Sequence, residues 1–163
     1  MSALVKHLAS YGEYHRDKRN VVTHIVGVPL IVLAVEILLS RPVLELPWFT
    51  FTPAVIATVL ASIYYLKLDR RLGGALALFL ILCARLGLEI ALMDTAIWLT
   101  AGIGLFVAGW IIQFIGHYFE GRKPAFFDDL RSLLIGPLFV LAELAFMAGL
   151  RPELQAEVQK KLA

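Results

Sequence analysis

The sequence predicts an all-α fold, a polytopic membrane helix bundle of about five spans with an N-terminal amphipathic interfacial helix. Of its 163 residues, 60% are hydrophobic and 17% are charged, against roughly 45–50% and 25% in an average globular domain. The charged residues are clustered, which leaves apolar runs of about 20 residues, the length that spans a bilayer as a helix. The whole chain, 1–163, is therefore predicted to form a single integral membrane domain.

The N-terminal helix is predicted over residues 2–16, where Leu4, Leu8 and Tyr11 recur at helical spacing. Such a helix can lie in the membrane interface, and a solvated helix packed on a partner is the alternative. Asn20 is a suitable N-cap for the helix that follows. The five apolar spans are predicted at about 21–39, 48–66, 72–93, 96–118 and 130–150.

The distribution of Lys and Arg predicts an orientation. With five spans, the N-terminal segment and the loops after spans two and four share one side and carry ten of these residues, against four on the other side. By the positive-inside rule the first side is cytoplasmic, and in a bacterium the membrane would be the inner one. If the fifth span is re-entrant, the tail returns to the cytoplasmic side.

Three of the four histidines fall on this side at similar depth: His15 and His24 at the entry to span one, and His117 at the exit of span four. A continuous helix would turn by about 900° between the first two, so that they would face opposite ways. A common metal site therefore requires a turn, for which Asp17 and Asn20 are suitable. Imidazole suits iron, zinc, copper or nickel, so ligand type alone does not choose the metal.

Polar residues around these histidines supply further candidates. Gln113, His117 and Glu120 lie at i, i+4 and i+7, on one face of a helix. Glu120 is either a further ligand or a nearby base. The Asn20 amide lies one turn before His24 and could orient its imidazole, and Gln113 could act in the same way on His117.

The remaining ionisable residues of the spans have no evident place in this site. Arg85 and Glu89 lie at i,i+4, the spacing of an ion pair on one helix face. Glu36 and Glu143 either line a polar cavity or a substrate tunnel, or lie nearer a membrane boundary. His7 is predicted on the interfacial surface, with metal ligation as the alternative.

Two stretches resemble the signatures of the 2-hydroxy fatty acid dioxygenase family. Residues 11–29 carry Tyr-x3-His-x4-Asn-x3-His-x2-Gly-x-Pro, and residues 113–125 carry Gln-Phe-Ile-Gly-His-x-x-Glu-Gly-Arg-x-Pro-Ala. The resemblance covers nearly the whole chain in length, span count and motif order. One departure is Asp17-Lys18, where many relatives have Asn-Pro after the first histidine.

The resemblance implies an Fe(II)-dependent, non-haem dioxygenase that uses O2 to cleave the C1–C2 bond of a 2-hydroxy fatty acid, giving a fatty acid one carbon shorter. Its partners would be this substrate, O2 and membrane lipid, with no nucleic acid, and a homo-oligomer stays open. The candidate residues are His15, His24 and His117 as iron ligands, Glu120, Asn20 and Gln113 as catalytic residues, and Arg122, Lys123 and Tyr11 as substrate-binding residues.

Two other classes of membrane protein are alternatives to this one. Di-iron lipid hydroxylases and desaturases need many more histidines, in clustered boxes, than the four present here. A non-enzymatic protein, such as a haem-binding subunit, a small transporter or a scaffold, stays as the alternative. A transporter would be expected to depend on Glu36 or Glu143 rather than on the histidines.

Overall fold

The computed structural model describes residues 2–163, and helices make up most of this chain. The helices are α1 (Ala3–Gly12), α2 (Lys18–Leu39), α3 (Pro53–Leu68), α4 (Arg70–Ala91), α5 (Thr95–Glu120), α6 (Ser132–Met147) and α7 (Pro152–Leu162). A 3-10 turn covers Ala125–Phe127. Between α2 and α3, a short hairpin that the sequence did not predict pairs β1 (Leu44–Glu45) with β2 (Thr50–Phe51). The all-α class is confirmed.

The helices long and apolar enough to cross a membrane are α2, α4 and α5. The helix α3 has 16 residues, which gives about 24 Å, less than the roughly 30 Å of a hydrocarbon core. The helix α6 is equally short and is followed by a bend of 116° into α7, so this pair gives a fourth span only if both are counted as one. The predicted count of five is therefore not confirmed: residues 2–163 supply three spans, or up to four.

The start of α2 differs from the prediction, because Asn20 is not its N-cap. The helix begins at Lys18, and Asp17 occupies the capping position. The Asp17 side chain accepts a hydrogen bond from the Arg19 amide at 2.8 Å, and its carbonyl accepts one from the Val21 amide at 3.1 Å. Asn20 lies inside the first turn, where its side chain reaches partners outside the helix.

The chain divides into two compact units, of which one comprises Pro29–Trp110. Within it, α3 and α4 form a helical hairpin joined by Asp69, whose carboxylate caps α4. The predicted ion pair between Arg85 and Glu89 is confirmed at 2.5 Å. Glu36 is buried and accepts a hydrogen bond from the Thr58 hydroxyl at 2.9 Å.

The other unit comprises Met1–Val28 and Ile111–Ala163. Here α1 packs against α6 and α7. The apolar face of α1, including Leu4, Val5 and Leu8, is at most 3% exposed. Protein therefore covers this face, whereas the sequence suggested that it would be buried in the membrane interface. Because α7 packs on α1, the tail lies beside the N-terminal segment, which corresponds to the re-entrant alternative.

A close approach of α2 and α5 in the same unit depends on Gly116. A Cβ atom added at Gly116 would lie 2.0 Å from the Thr23 hydroxyl oxygen and 2.5 Å from Asn20 Oδ1. These distances are far below van der Waals contact, so a larger residue would push the helices apart. Glycine at this position therefore permits the two helices to bring His24 and His117 together.

Replacing Gly116 by Ala is predicted to destabilise the protein by about 1–3 kcal/mol, the usual cost of overpacking. Gly104, on the same helix, is the matched control, because an added Cβ there meets nothing within 4 Å. Gly104→Ala should be neutral or stabilising by up to about 1 kcal/mol, owing to the better helix propensity of Ala. Thermal unfolding in detergent measures both changes. Equal melting temperatures for the two variants would contradict the close approach.

Candidate metal centre

Three buried histidines from separate segments of the chain meet in the unit formed by Met1–Val28 and Ile111–Ala163. His15 lies in the loop after α1, His24 lies on α2, and His117 lies near the end of α5. One ring nitrogen from each lies within 4.8 Å of the other two, which makes them a group able to hold a metal ion. His15 Nε2 and His24 Nε2 are 2.9 Å apart. The convergence predicted from the sequence is present.

Glu120 fixes the turn that lets His15 and His24 face each other. Its Oε1 accepts a hydrogen bond from the Arg16 amide at 2.9 Å. Its Oε2 accepts hydrogen bonds from the Asp17 amide at 2.9 Å and from Asn20 Nδ2 at 3.0 Å. A carboxylate is favourable at a helix N-terminus, where unpaired amides and the helix dipole attract negative charge. Glu120 thus caps α2 from the end of α5, and it does not belong to the histidine group.

Each of the three imidazoles is oriented by a hydrogen bond between its Nδ1 and a backbone carbonyl. His15 binds the Tyr11 carbonyl at 2.7 Å, His24 binds the Asn20 carbonyl at 2.8 Å, and His117 binds the Arg122 carbonyl at 3.2 Å. A carbonyl oxygen only accepts, so Nδ1 carries the proton in each ring and Nε2 is left with a lone pair. Such hydrogen bonds commonly fix the tautomer of histidines that bind metals.

This arrangement creates an electrostatic conflict that a cation would resolve. In these tautomers the facing Nε2 atoms of His15 and His24 both present lone pairs, which repel each other at 2.9 Å. A proton is a poor solution, because burial lowers the pKa of His15 to about 3. A metal ion with N–metal distances of about 2.0–2.1 Å places neighbouring ligand nitrogens at a right angle about 3 Å apart. The donor set therefore fits a metal ion.

The distance between His15 Nε2 and His24 Nε2 argues against a haem bound between these two histidines. Two axial histidines lie on opposite faces of the porphyrin, so that at about 2.0 Å from the iron their nitrogens are about 4 Å apart. The 2.9 Å separation leaves no space for a macrocycle between His15 and His24. Three neutral imidazoles suit a single divalent transition ion with coordination positions left for other ligands.

Asn20 and Gln113, which the sequence predicted as catalytic residues, have different surroundings. Asn20 orients His24 through its backbone carbonyl, whereas its amide donates to the Tyr14 carbonyl at 3.1 Å and to Glu120. Gln113 is 4% exposed, and its Oε1 has no hydrogen-bond partner among residues 2–163. Asn20 therefore joins the turn to His24, and Gln113 keeps an unused acceptor one helical turn before His117.

Tyr11, predicted to bind substrate, packs against a histidine of the cluster. Its ring stacks on His15 with a centroid distance of 4.2 Å and an interplanar angle of 4°. Phe139 of α6 contacts both rings, at 4.9 Å from Tyr11 and 5.4 Å from His15. Burial raises the pKa of Tyr11, so its phenol is neutral at physiological pH. Sequence reasoning missed Phe139, since its part in the site depends on how α6 packs against α1.

Arg122 and Lys123, also predicted to bind substrate, have other partners. The Arg122 guanidinium donates to the Glu13 carbonyl at 2.9 Å and lies over the Tyr14 ring. Lys123 pairs with Asp128 at 2.6 Å. The Tyr14 hydroxyl donates to the same carboxylate at 2.9 Å. These contacts hold the loop after α5 against the turn between α1 and α2.

A cavity of about 270 Å³ opens beside the histidine cluster. Its walls come from the turn after α1, from α6 and from α7, and they include His15, Arg16, Phe139, Glu143, Gln155 and Gln159. Glu143 thus lines a polar cavity, which was one of its two predicted alternatives. Sequence reasoning missed Arg16 and the residues of α7, because no pattern in the chain indicated that the tail folds back onto α1.

The chain is similar to known proteins along most of its length. The family model described as 2-hydroxy-palmitic acid dioxygenase Mpo1-like matches residues 1–148. The 2-hydroxy-palmitic acid dioxygenase MPO1 of Saccharomyces cerevisiae is 35% identical over 159 residues, which cover 95% of this chain and 87% of the yeast protein. No solved structure matches the chain. The resemblance noted in the two sequence motifs is confirmed, and the chain belongs to the 2-hydroxy-palmitic acid dioxygenase Mpo1-like family.

Proposed function

We propose that this protein is an Fe(II)-dependent, non-haem dioxygenase that cleaves the C1–C2 bond of a 2-hydroxy fatty acid and releases a fatty acid one carbon shorter. The observation that carries the proposal is the convergence of His15, His24 and His117. It occurs in a chain similar to a yeast protein named as a 2-hydroxy-palmitic acid dioxygenase.

The three histidines would hold the iron through their Nε2 atoms. When bound, Fe(II) supplies the redox chemistry with O2 that breaks a carbon–carbon bond, which amino-acid side chains alone do not provide. The backbone carbonyls that hold each Nδ1 keep the rings in position before the metal binds. Because all three imidazoles are neutral donors, they would leave the charge of a divalent ion uncompensated, which favours an anionic ligand such as a carboxylate.

The protein around the cluster supports the His15 ring and keeps the turn in place. Tyr11 and Phe139 cover the His15 ring with apolar surface. Glu120 holds the backbone of residues 16 and 17. A fatty acid dissolves in the bilayer, and the apolar helices associate the chain with the same phase. On the prediction of five spans, the distribution of Lys and Arg favours a site on the cytoplasmic side, in the inner membrane if the organism is bacterial.

Metal content is predicted to depend on residues that are distant in the sequence. Protein purified without oxygen should contain about one iron per chain, and His24→Ala and His117→Ala should each lose it. His7→Ala is the matched control, because His7 lies on α1 outside the cluster, and it should retain the iron. Iron missing from the fresh wild type, or retained by both cluster variants, would overturn the proposed function.

The iron-loaded protein is predicted to convert 2-hydroxyhexadecanoic acid to pentadecanoic acid in the presence of O2. Hexadecanoic acid without the hydroxyl group should be left unchanged, because C1–C2 cleavage needs the oxidised carbon at C2. Mass spectrometry of the fatty acids gives the chain length directly. A product of unchanged length, with a new hydroxyl group or double bond, would assign the protein to a different oxidative reaction.

Glu120→Gln is predicted to weaken iron binding without removing an iron ligand. The Gln side chain lacks the negative charge that Glu120 places at the start of α2 and has one acceptor oxygen fewer. The turn that positions His15 and His24 therefore loosens. Loss of such a supporting contact typically lowers metal affinity about 10- to 100-fold. The variant should still bind one iron per chain at saturation, with the same spectrum as the wild type.

The matched control for this variant is Glu13→Gln, because Glu13 is exposed and lies close by. This substitution removes the same negative charge. It should leave iron affinity unchanged. A changed iron spectrum in Glu120→Gln at full loading would instead indicate that Glu120 binds the metal itself.

A further inference from the structure

We propose that the cavity beside His15 receives the polar head of the substrate and that Arg16 binds its carboxylate. This inference rests on the proposed function, because it names the group that recognises the acid in that reaction. The cavity of about 270 Å³ is lined by Arg16 and by His15, its neighbour in the chain. A carboxylate held by Arg16 would therefore lie next to the histidine cluster.

Arg16 is fixed in place by contacts that leave much of its guanidinium available. Its amide donates to Glu120, which anchors its backbone to the turn. Its Nη2 donates to the Leu162 carbonyl at 3.0 Å, at the end of α7. A guanidinium carries five N–H donors in a planar fork, so other donors can form the paired hydrogen bonds that a carboxylate accepts.

Charge singles out Arg16 among the basic residues of this region. Of the described residues that line the cavity, Arg16 is the one with a positive charge at neutral pH. Arg19 is paired with Asp17 at 2.7 Å, and Lys123 is paired with Asp128. Arg122 donates to the Glu13 carbonyl rather than lining this cavity.

The other walls of the cavity suit the rest of a 2-hydroxy acid head. Phe139, Phe146 and Leu162 offer apolar surface for the first methylene groups, and Glu143 and Gln159 offer hydrogen-bond partners for the hydroxyl. The volume lies just below the range of about 300–1,000 Å³ usual for ligand pockets. It therefore holds the head and the first carbons, and the remaining acyl chain must leave the cavity. The head group, rather than chain length, should control binding here.

The test compares the binding of 2-hydroxyhexadecanoate and of its methyl ester to iron-free protein in the same detergent, by equilibrium dialysis. Arg16→Ala should weaken binding of the acid about 10- to 100-fold, the value of a hydrogen-bonded charged group, and leave binding of the uncharged ester unchanged. Arg16→Lys should recover part of the loss, since it restores the charge without the planar fork.

Lys18→Ala is the matched control, because Lys18 is exposed two residues away and does not line the cavity. It should bind the acid like the wild type. In turnover with iron-loaded protein, Arg16→Ala should raise KM for the acid while iron content stays at the wild-type value. The inference would be overturned if the wild type did not bind the acid, or if the wild type and Arg16→Ala bound it equally. It would also be overturned if Lys18→Ala lost as much affinity for the acid as Arg16→Ala.

Failure of this inference can be told apart from failure of the proposed function. If the wild type contains iron and shortens the acid but Arg16→Ala behaves identically, the carboxylate site is wrong and the reaction stands. If the wild type neither binds iron nor shortens the acid, yet binding of the acid depends on Arg16, the reaction is wrong and the carboxylate site stands.

Discussion

The histidine cluster depends on the three hydrogen bonds that the Glu120 carboxylate accepts from the start of α2. Two of the donors are the consecutive amides of Arg16 and Asp17, and the third is the Asn20 side chain. They hold residues 16 and 17 in the turn between α1 and α2. A continuous helix between His15 and His24 would point the two imidazoles in opposite directions. Glu120 also lies one turn after His117, so the same carboxylate ties the third histidine to the first two.

A second constraint acts on the ring nitrogens. Once each Nδ1 is bound to a carbonyl, each ring keeps an Nε2 lone pair, and those of His15 and His24 face each other in a buried space. Removing polar atoms from water without a partner costs free energy, so a cluster of unprotonated nitrogens is a costly arrangement in a protein without a ligand. A metal ion held there would turn that cost into a favourable interaction.

The sequence predicted the features that depend on local pattern. Apolar runs located α2, α4 and α5, and a topology of five spans placed the three histidines in one layer. The Arg85–Glu89 pair followed from helical spacing alone. The ion pair depends on residues one helical turn apart, and each helix depends on the length of one apolar run.

Features that depend on contacts between distant segments were missed. Asn20 looked like an N-cap, but Asp17 and the distant Glu120 occupy that role. The fifth predicted span is not confirmed as one continuous helix, because the chain bends by 116° after α6. The helix α7 then turns back to bury Leu154 and Val158 in the unit that contains α1. The sequence suggested Arg122 or Lys123 as the partner of the carboxylate, and it gave no sign that Arg16 lines a cavity formed with α7.

X-ray absorption at the iron K-edge of the Fe(II)-loaded protein is the sharpest test of a metal held by the three histidines, because it reports the atoms bound to the metal. We expect nitrogen ligands near 2.1 Å with the multiple-scattering pattern of about three imidazoles. We also expect His117→Ala to lose this imidazole signal. A spectrum without imidazole scattering, or one that is the same in wild type and His117→Ala, would contradict a metal held by these three histidines.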